Sequence, residues 1–303
     1  MPTIPLGEIE IGLDSKEGNI AFLSHAHMDH VSPVRGAKKI LASEETKIIS
    51  GLDAEFFHSF DGIKLANAGH MPGARQLVVE NGSKIVYTGD IRLKDGILEK
   101  GAEIVECDEL YIDATYNSPE FRFPDPFEVY AEIQKWLREN ERSIILFGAY
   151  KLGKSQEIIK VMNESGIVPV VEKEIAEINE RYEKACIRLD YAVVGTDEAE
   201  ELMGSSFVAV VTPRKAKRYF AKEIEKAFEK PTLCAIATGW AVKYRFNVDR
   251  AFPLSDHADF YDILEYINQA SPKKVNFVHG NGIGSNNYLY TKSPDFITTS
   301  LPR

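Results

Sequence analysis

Six residues constrain this chain more than any others. His25-Ala26-His27-Met28-Asp29-His30 sets three imidazoles and a carboxylate on one short stretch, directly after the apolar run at 20–23. Two further candidates lie in glycine-flanked turns: His70 in Gly69-His70-Met71-Pro72-Gly73, and Asp90 after Tyr87-Thr88-Gly89. Each falls just past an expected strand or in a turn, where a rigid scaffold presents functional groups. Imidazole and carboxylate together suit zinc or a similar borderline cation. A short loop after the strand at 20–23 can aim His25 and His27 at one ion while Asp29 and His30 face a second. His70 then completes the first set, and Asp90 is placed to bridge the pair. Singly, a His or Asp in a turn is ordinarily a cap or turn residue. The string, followed by a lone His and a lone Asp in glycine-rich turns, predicts a two-metal centre instead. Two ions a few ångströms apart provide a nucleophile from water at neutral pH and neutralise charge on a phosphoryl or acyl oxygen, so the expected reaction is hydrolysis. Asp14, near the end of the run at 9–13, is a candidate for an outer partner that orients the ligands.

Short apolar runs at 9–13, 20–23, 63–66, 76–80 and 85–87, separated by Gly, Asn, Asp and Ser, make the first third strand-rich. Beyond Asp113 the rhythm changes. Phe127, Tyr130, Ile133 and Leu137 give 127–139 a helical period, and 143–147 reads as a buried strand. Strands at 167–171, 191–195, 207–211 and 232–237 then alternate with helices such as 173–184 and 215–228, the signature of a parallel α/β sheet. A helix at 260–268 and a strand at 274–278 close the pattern.

With 303 residues, 44% of them apolar, the chain can bury the core of one large domain or two ordinary ones. No run approaches the 18 or so apolar residues of a membrane span, and the first residues lack a signal-peptide layout, so the expected location is cytoplasmic. Cys107, Cys186 and Cys234 are odd in number and far apart, which predicts buried reduced thiols rather than a disulfide framework or a thiolate zinc site. A net charge of −10 argues against a general polyanion-binding surface. Contact with nucleic acid would be local, with bound cations supplying positive potential, while the cluster Arg214, Lys215, Lys217 and Arg218 reads first as a solvated helical face.

Gly148-Ala149-Tyr150-Lys151-Leu152-Gly153-Lys154-Ser155 matches the phosphate-binding pattern G-x-x-x-x-G-K-[ST] between an expected strand and helix. An ATPase would also need a downstream apolar strand ending in Asp, and neither 191–195 nor 207–212 ends so. The expectation is therefore a clamp in which Lys151, Lys154, Ser155 and a helix N-terminus hold a nucleic-acid phosphate.

The string, His70 and Asp90 together resemble the metallo-β-lactamase superfamily, whose fold packs two sheets between helices. The long interval from Asp90 to His279 leaves room for an inserted domain, and the α/β segment lies there. The chain thus resembles the β-CASP branch of DNA- and RNA-acting nucleases, and most closely its short ligase-associated exonucleases and the related mRNA 3′-end processing exonucleases. This resemblance implies an α/β fold: an αββα sandwich formed by 1–115 and 251–303, with a β-CASP domain on a mostly parallel sheet inserted at 116–250. It also implies that His279 completes the second metal's ligands. By the same resemblance Asp113, in Asp113-Ala114-Thr115 where the branch usually has Glu-Ser-Thr, holds His257, and His257 contacts the scissile phosphate and protonates the leaving oxygen. The implied cofactors are two divalent ions, zinc first and manganese second. The implied substrate is single-stranded DNA or RNA, with DNA favoured because no RNA-binding module precedes Met1. Competing expectations are a small-ester or thioester hydrolase, a P-loop ATPase and an inactive scaffold. Tyr116, Phe121 and Phe123 are expected to pack in the core rather than to stack on bases.

Overall fold

The computed structural model describes residues 3–278 and the backbone of Ile297–Ser300. These residues form two compact units, one from the residues up to Arg122 and from Asp256 onward, the other from Phe123–Ser255.

The first unit holds two sheets. One runs β1 (Thr3–Leu6), β2 (Ile9–Leu13), β3 (Ile20–Phe22), β4 (Lys39–Leu41) and β5 (Glu55–Phe57) in that order. The other orders β6 (Ile63–Asn67), β7 (Arg75–Glu80), β8 (Lys84–Tyr87), β9 (Glu109–Asp113), then the strands Lys274–Val278 and Ile297–Ser300. Alternation along each strand sends side chains to opposite faces. Ile20 and Phe22 therefore join Ile11, Leu13, Leu77, Val79 and Tyr87 in a core between the two sheets. Ala21 and Leu23 point the other way, onto Val31 and Val34 of helix α1 (Met28–Val34). On the far side Tyr266, from the helix Phe260–Ala270, donates to Gln76 of β7, the neighbour of inward-facing Leu77. Helix, sheet, sheet, helix is the resulting stack, an αββα sandwich.

The second unit is a six-stranded, wholly parallel sheet ordered β12-β11-β13-β10-β14-β15, with β10 (Ile144–Gly148), β11 (Val170–Val171), β12 (Ala192–Val193), β13 (Val208–Val211), β14 (Thr232–Ala237) and β15 (Arg250–Phe252). Helices cover both faces of such a sheet, so its central strands are continuous apolar runs; every residue of β10 is buried. Two expected strands are trimmed to two residues. Pro169 has no amide to donate, so β11 begins after it, and β12 ends before Gly195, whose φ of +88° turns the chain away. The expected helix at 215–228 begins at Arg218, because Lys217 is extended (φ −130°) and Lys215 closes a turn on Thr212.

Tyr116, Phe121 and Phe123 are buried. Cys107 and Cys234 are buried free thiols, but Cys186 is exposed, against expectation, because it follows the end of a helix on a left-handed turn (φ +63°). Among the described residues no helix is long and apolar enough to cross a membrane.

Candidate metal centre

The chain leaves β3 at Phe22 and delivers Ser24 and His25 from the strand end; His27 is then the extended N-cap of α1. Asp29 and His30 thus sit on the first turn of a helix, not on the expected loop. Two glycines let the other ligand loops approach. At Gly69 (φ +68°) an added Cβ would lie 2.3 Å from the Arg92 carbonyl oxygen, and at Gly89 (φ +56°) 2.5 Å from Ser24 Cβ. No side chain fits at either position. His70 and Asp90, the residues that follow them, are therefore pressed against the strand end, and both are buried along with His25 and His30.

The donor atoms converge. His27 Nδ1 lies 3.1 Å from His25 Nε2 and 2.9 Å from His70 Nε2. Asp90 Oδ2 lies 3.5 Å from His25 Nε2 and 3.6 Å from His70 Nε2. Ligands about 2.0–2.1 Å from a tetrahedral ion stand about 3.3–3.4 Å apart, so this set has the spacing of a metal's coordination shell. The other oxygen of the same carboxylate, Asp90 Oδ1, is 3.4 Å from His30 Nε2, which is 4.0 Å from the exposed Asp29 carboxylate. Asp90 thus offers one oxygen to each histidine group. His279, expected beside His30, lies outside the described residues.

The partners behind the ligands set their tautomers. His70 Nδ1 is 2.7 Å from the Asp256 carbonyl oxygen, which can only accept, so His70 carries its proton there and Nε2 keeps a lone pair. Asp14 does the same for His30, with Oδ2 at 2.7 Å from Nδ1. Ser24 donates its hydroxyl to Asp14 at 2.7 Å, which leaves its oxygen to accept from His25 Nδ1 at 2.9 Å. Tyr87 donates a further bond to Asp14 at 2.6 Å. Asp14 is fully buried, at a φ of +43° that few residues other than glycine adopt. One buried carboxylate therefore braces a histidine from each group, His30 directly and His25 through Ser24.

Electrostatics divides the imidazoles. Burial, reinforced by the charge on His30, holds His25 well below its usual range. Burial and the charge on His257 take His70 down to about 3, and burial also lowers His27. All three stay neutral and ready to coordinate. For His30 burial opposes the charge, but Asp90 and Asp14 outweigh it and raise the pKa well above normal. For His257 burial is likewise overcome, by Asp90 and Asp113, and the pKa rises to about 10. Burial would protonate Asp90, yet the surrounding charges of His30 and His257 keep it ionised.

β9 ends on Asp113, whose Oδ2 is 2.8 Å from His257 Nδ1; His257 Nε2 then lies 3.8 Å from Asp90 Oδ2. Thr115 donates both its amide and its hydroxyl to Asp113 Oδ1, and the Tyr116 ring meets His257 edge-on at 5.9 Å. Sequence reasoning missed Ser24, Tyr87 and Asp256. Asp256 also groups its carboxylate with His70 and His257, and its position beside His257 was the available signal.

No family model matches the chain. It is 29% identical over 283 residues to a probable DNA ligase of Opitutus terrae, across 86% of this chain and 26% of that protein. It is 23% identical over 273 residues to the 5′ exonuclease Apollo of Gallus gallus, across 84% of this chain and 57% of that one. Over 126 residues, 39% of this chain, it is 31% identical to an uncharacterized protein in the lig 3′ region of Acidianus ambivalens, and it covers 84% of that protein. The chain belongs to the β-CASP branch of the metallo-β-lactamase superfamily. The β-CASP assignment accounts for both units, the αββα sandwich and the parallel sheet placed between its two halves in sequence.

Within this β-CASP protein the Gly148–Ser155 segment lies in the Phe123–Ser255 unit, and its polar groups find partners there. Lys154, at the start of the helix Lys154–Asn163, is buried with its ammonium 2.6 Å from buried Glu157, which accepts from Tyr130 at 2.5 Å. Ser155 donates to the Tyr150 carbonyl, the Gly153 amide donates to Gln156 Oε1 at 2.8 Å, and Lys151 pairs with Glu174. A phosphate cradle needs that amide and that ammonium exposed. The groups expected to clamp a phosphate therefore already hold bonds within their own unit.

Proposed function

We propose that this β-CASP protein is a metal-dependent nuclease that hydrolyses phosphodiester bonds of single-stranded nucleic acid, DNA before RNA, as an exonuclease in DNA repair. The observation that carries the reading is that a metal-type donor set and a carboxylate-held imidazole, His257, meet at one side chain, Asp90. His25, His27, His70 and Asp90 would hold one divalent ion, and Asp29, His30, Asp90 and His279 a second. The mixed imidazole and carboxylate donors suit zinc, with manganese as the next candidate. When bound, such ions supply Lewis-acid stabilisation of phosphoryl oxygens and a nucleophile drawn from water.

The residues of the chain do the remaining work. Asp113 holds the His257 ring by Nδ1, which leaves the Nε2 proton directed toward Asp90 and the ligand cluster. From there it can bond an oxygen of the scissile phosphate and pass its proton to the leaving oxygen, as an oriented general acid. Asp14, through His30 and Ser24, keeps two ligands in the tautomer that coordinates. The names of the relatives, a DNA ligase and a 5′ exonuclease, favour DNA.

The test is digestion of matched end-labelled single-stranded DNA and RNA with zinc or manganese, beside an Asp90→Ala control. A ladder from DNA that vanishes in the control is expected, and its direction reads the polarity. No cleavage of either polymer with any metal, together with rapid thioester hydrolysis, would replace the nuclease by a small-ester hydrolase.

A further inference from the structure

We infer that Arg122 and Tyr261 form a nucleotide-docking pair beside the metal centre, in which the guanidinium takes a backbone phosphate and the phenol ring stacks on the adjoining base. The inference rests on the nuclease reading. The Arg122 guanidinium lies 5.3 Å from the centre of the Tyr261 ring, and both side chains are exposed, Tyr261 by 44%.

Three observations point to a ligand. First, 46 acidic residues outnumber 36 basic ones in this chain, and cations of the same unit such as Lys84, Lys100 and Lys273 stand against carboxylates. Arg122 meets no carboxylate and no hydrogen-bond acceptor among the described residues; its contact there is the ring. Second, the Tyr261 hydroxyl has no partner there either, and the residue stays 44% exposed although its ring also meets that of Phe260 edge-on at 5.4 Å. Third, Tyr261 follows His257 by four residues, a span of at most about 14 Å, and it is fixed on the first turn of a helix by its amide bond to Asp259. A strand whose phosphate reaches His257 has its neighbouring nucleotides within reach of this ring. A guanidinium with no carboxylate partner among the described residues, set over an exposed aromatic, supplies the charge and the π-face that single strands use, without reading sequence.

The experiment is steady-state cleavage of end-labelled oligothymidylate by the metal-loaded chain, with melting temperature recorded for every variant. Tyr261→Ala should raise KM about 5- to 50-fold with kcat nearly unchanged, while Tyr261→Phe, which keeps the ring, should stay close to wild type. Arg122→Gln should raise KM and flatten the dependence of log affinity on log salt by about 0.7. On an oligonucleotide made abasic next to the scissile bond, the Tyr261→Ala penalty should disappear. An unchanged KM in Tyr261→Ala with a lowered melting temperature would make the pair a surface staple and overturn the inference alone. A wild-type chain that cleaves no strand would remove the nuclease reading as well.

Discussion

The His25–His30 string and the Gly148–Ser155 loop both match chemistry-bearing patterns, and both sit at the junction of a strand and a helix. They differ in where their polar atoms point. In the string, the hydrogen bonds run outward, from His30 to Asp14 and from His25 to Ser24, and leave His27 Nδ1 3.1 and 2.9 Å from the inner nitrogens of His25 and His70, with Asp90 Oδ2 3.5 Å from His25. In the loop the same accounting closes on itself: Lys154 to Glu157, Gly153 to Gln156, Ser155 to Tyr150. A ligand site leaves donor atoms converging on one another with their partners behind them; a structural motif satisfies them internally.

The largest effect is expected at Asp90. Asp90→Ala removes the one carboxylate shared by both histidine groups, so turnover should be abolished and metal content, read by mass spectrometry of the purified protein, should fall for both ions. Two ions retained at wild-type occupancy would show that Asp90 is not shared. His257→Ala should keep its metal and lose about 10²- to 10⁴-fold in kcat, the range of a single general acid. Equal metal loss in both variants would refute the separation between ligand and proton donor.

At the loop the contrast predicts stability rather than catalysis. Lys154→Ala takes the ammonium away from the buried Glu157 carboxylate, which keeps its bond from Tyr130, and should cost about 3 kcal/mol in denaturant unfolding. Replacing the pair together, as Lys154→Met with Glu157→Leu, should recover most of it. Cleavage at a temperature where the variant is folded should be unchanged, and titration with ATP should show no binding. Tight ATP binding to the wild type would reverse the reading of this loop.

What the sequence disclosed follows the same division. His25, His27, His70 and Asp90 were legible because their types and spacing carry chemical intent whatever the fold, and the parallel sheet was legible because strands buried on both faces leave unbroken apolar runs such as 144–148. Helix α1 was not, since seven residues containing Pro33 are too few to show a period. Asp256 braces His70 through its backbone carbonyl, a contribution that any residue type could make and that no side chain announces. The closure of the Gly148–Ser155 loop depends on Glu157 and Gln156 lying beyond the pattern, and on Tyr130 from a different helix. Motifs list the groups present; they are silent on which of those groups are already taken.

Asp14 gives the smallest effect and the sharpest test, because it acts on His30 in two opposed ways. It orients the ring and raises its basicity as a ligand, so Asp14→Asn should weaken metal binding about 10- to 100-fold when measured with a competing chelator near pH 8. It also, with Asp90, keeps the metal-free His30 protonated well above its usual range, and a metal must displace that proton. Wild-type affinity should therefore rise with pH through and above neutrality, with protons released on uptake. In Asp14→Asn that proton is held less tightly, so the pH dependence should flatten and the gap from wild type should narrow as pH falls toward 6. A gap that is constant with pH would mean that Asp14 orients the ring and does nothing to its charge.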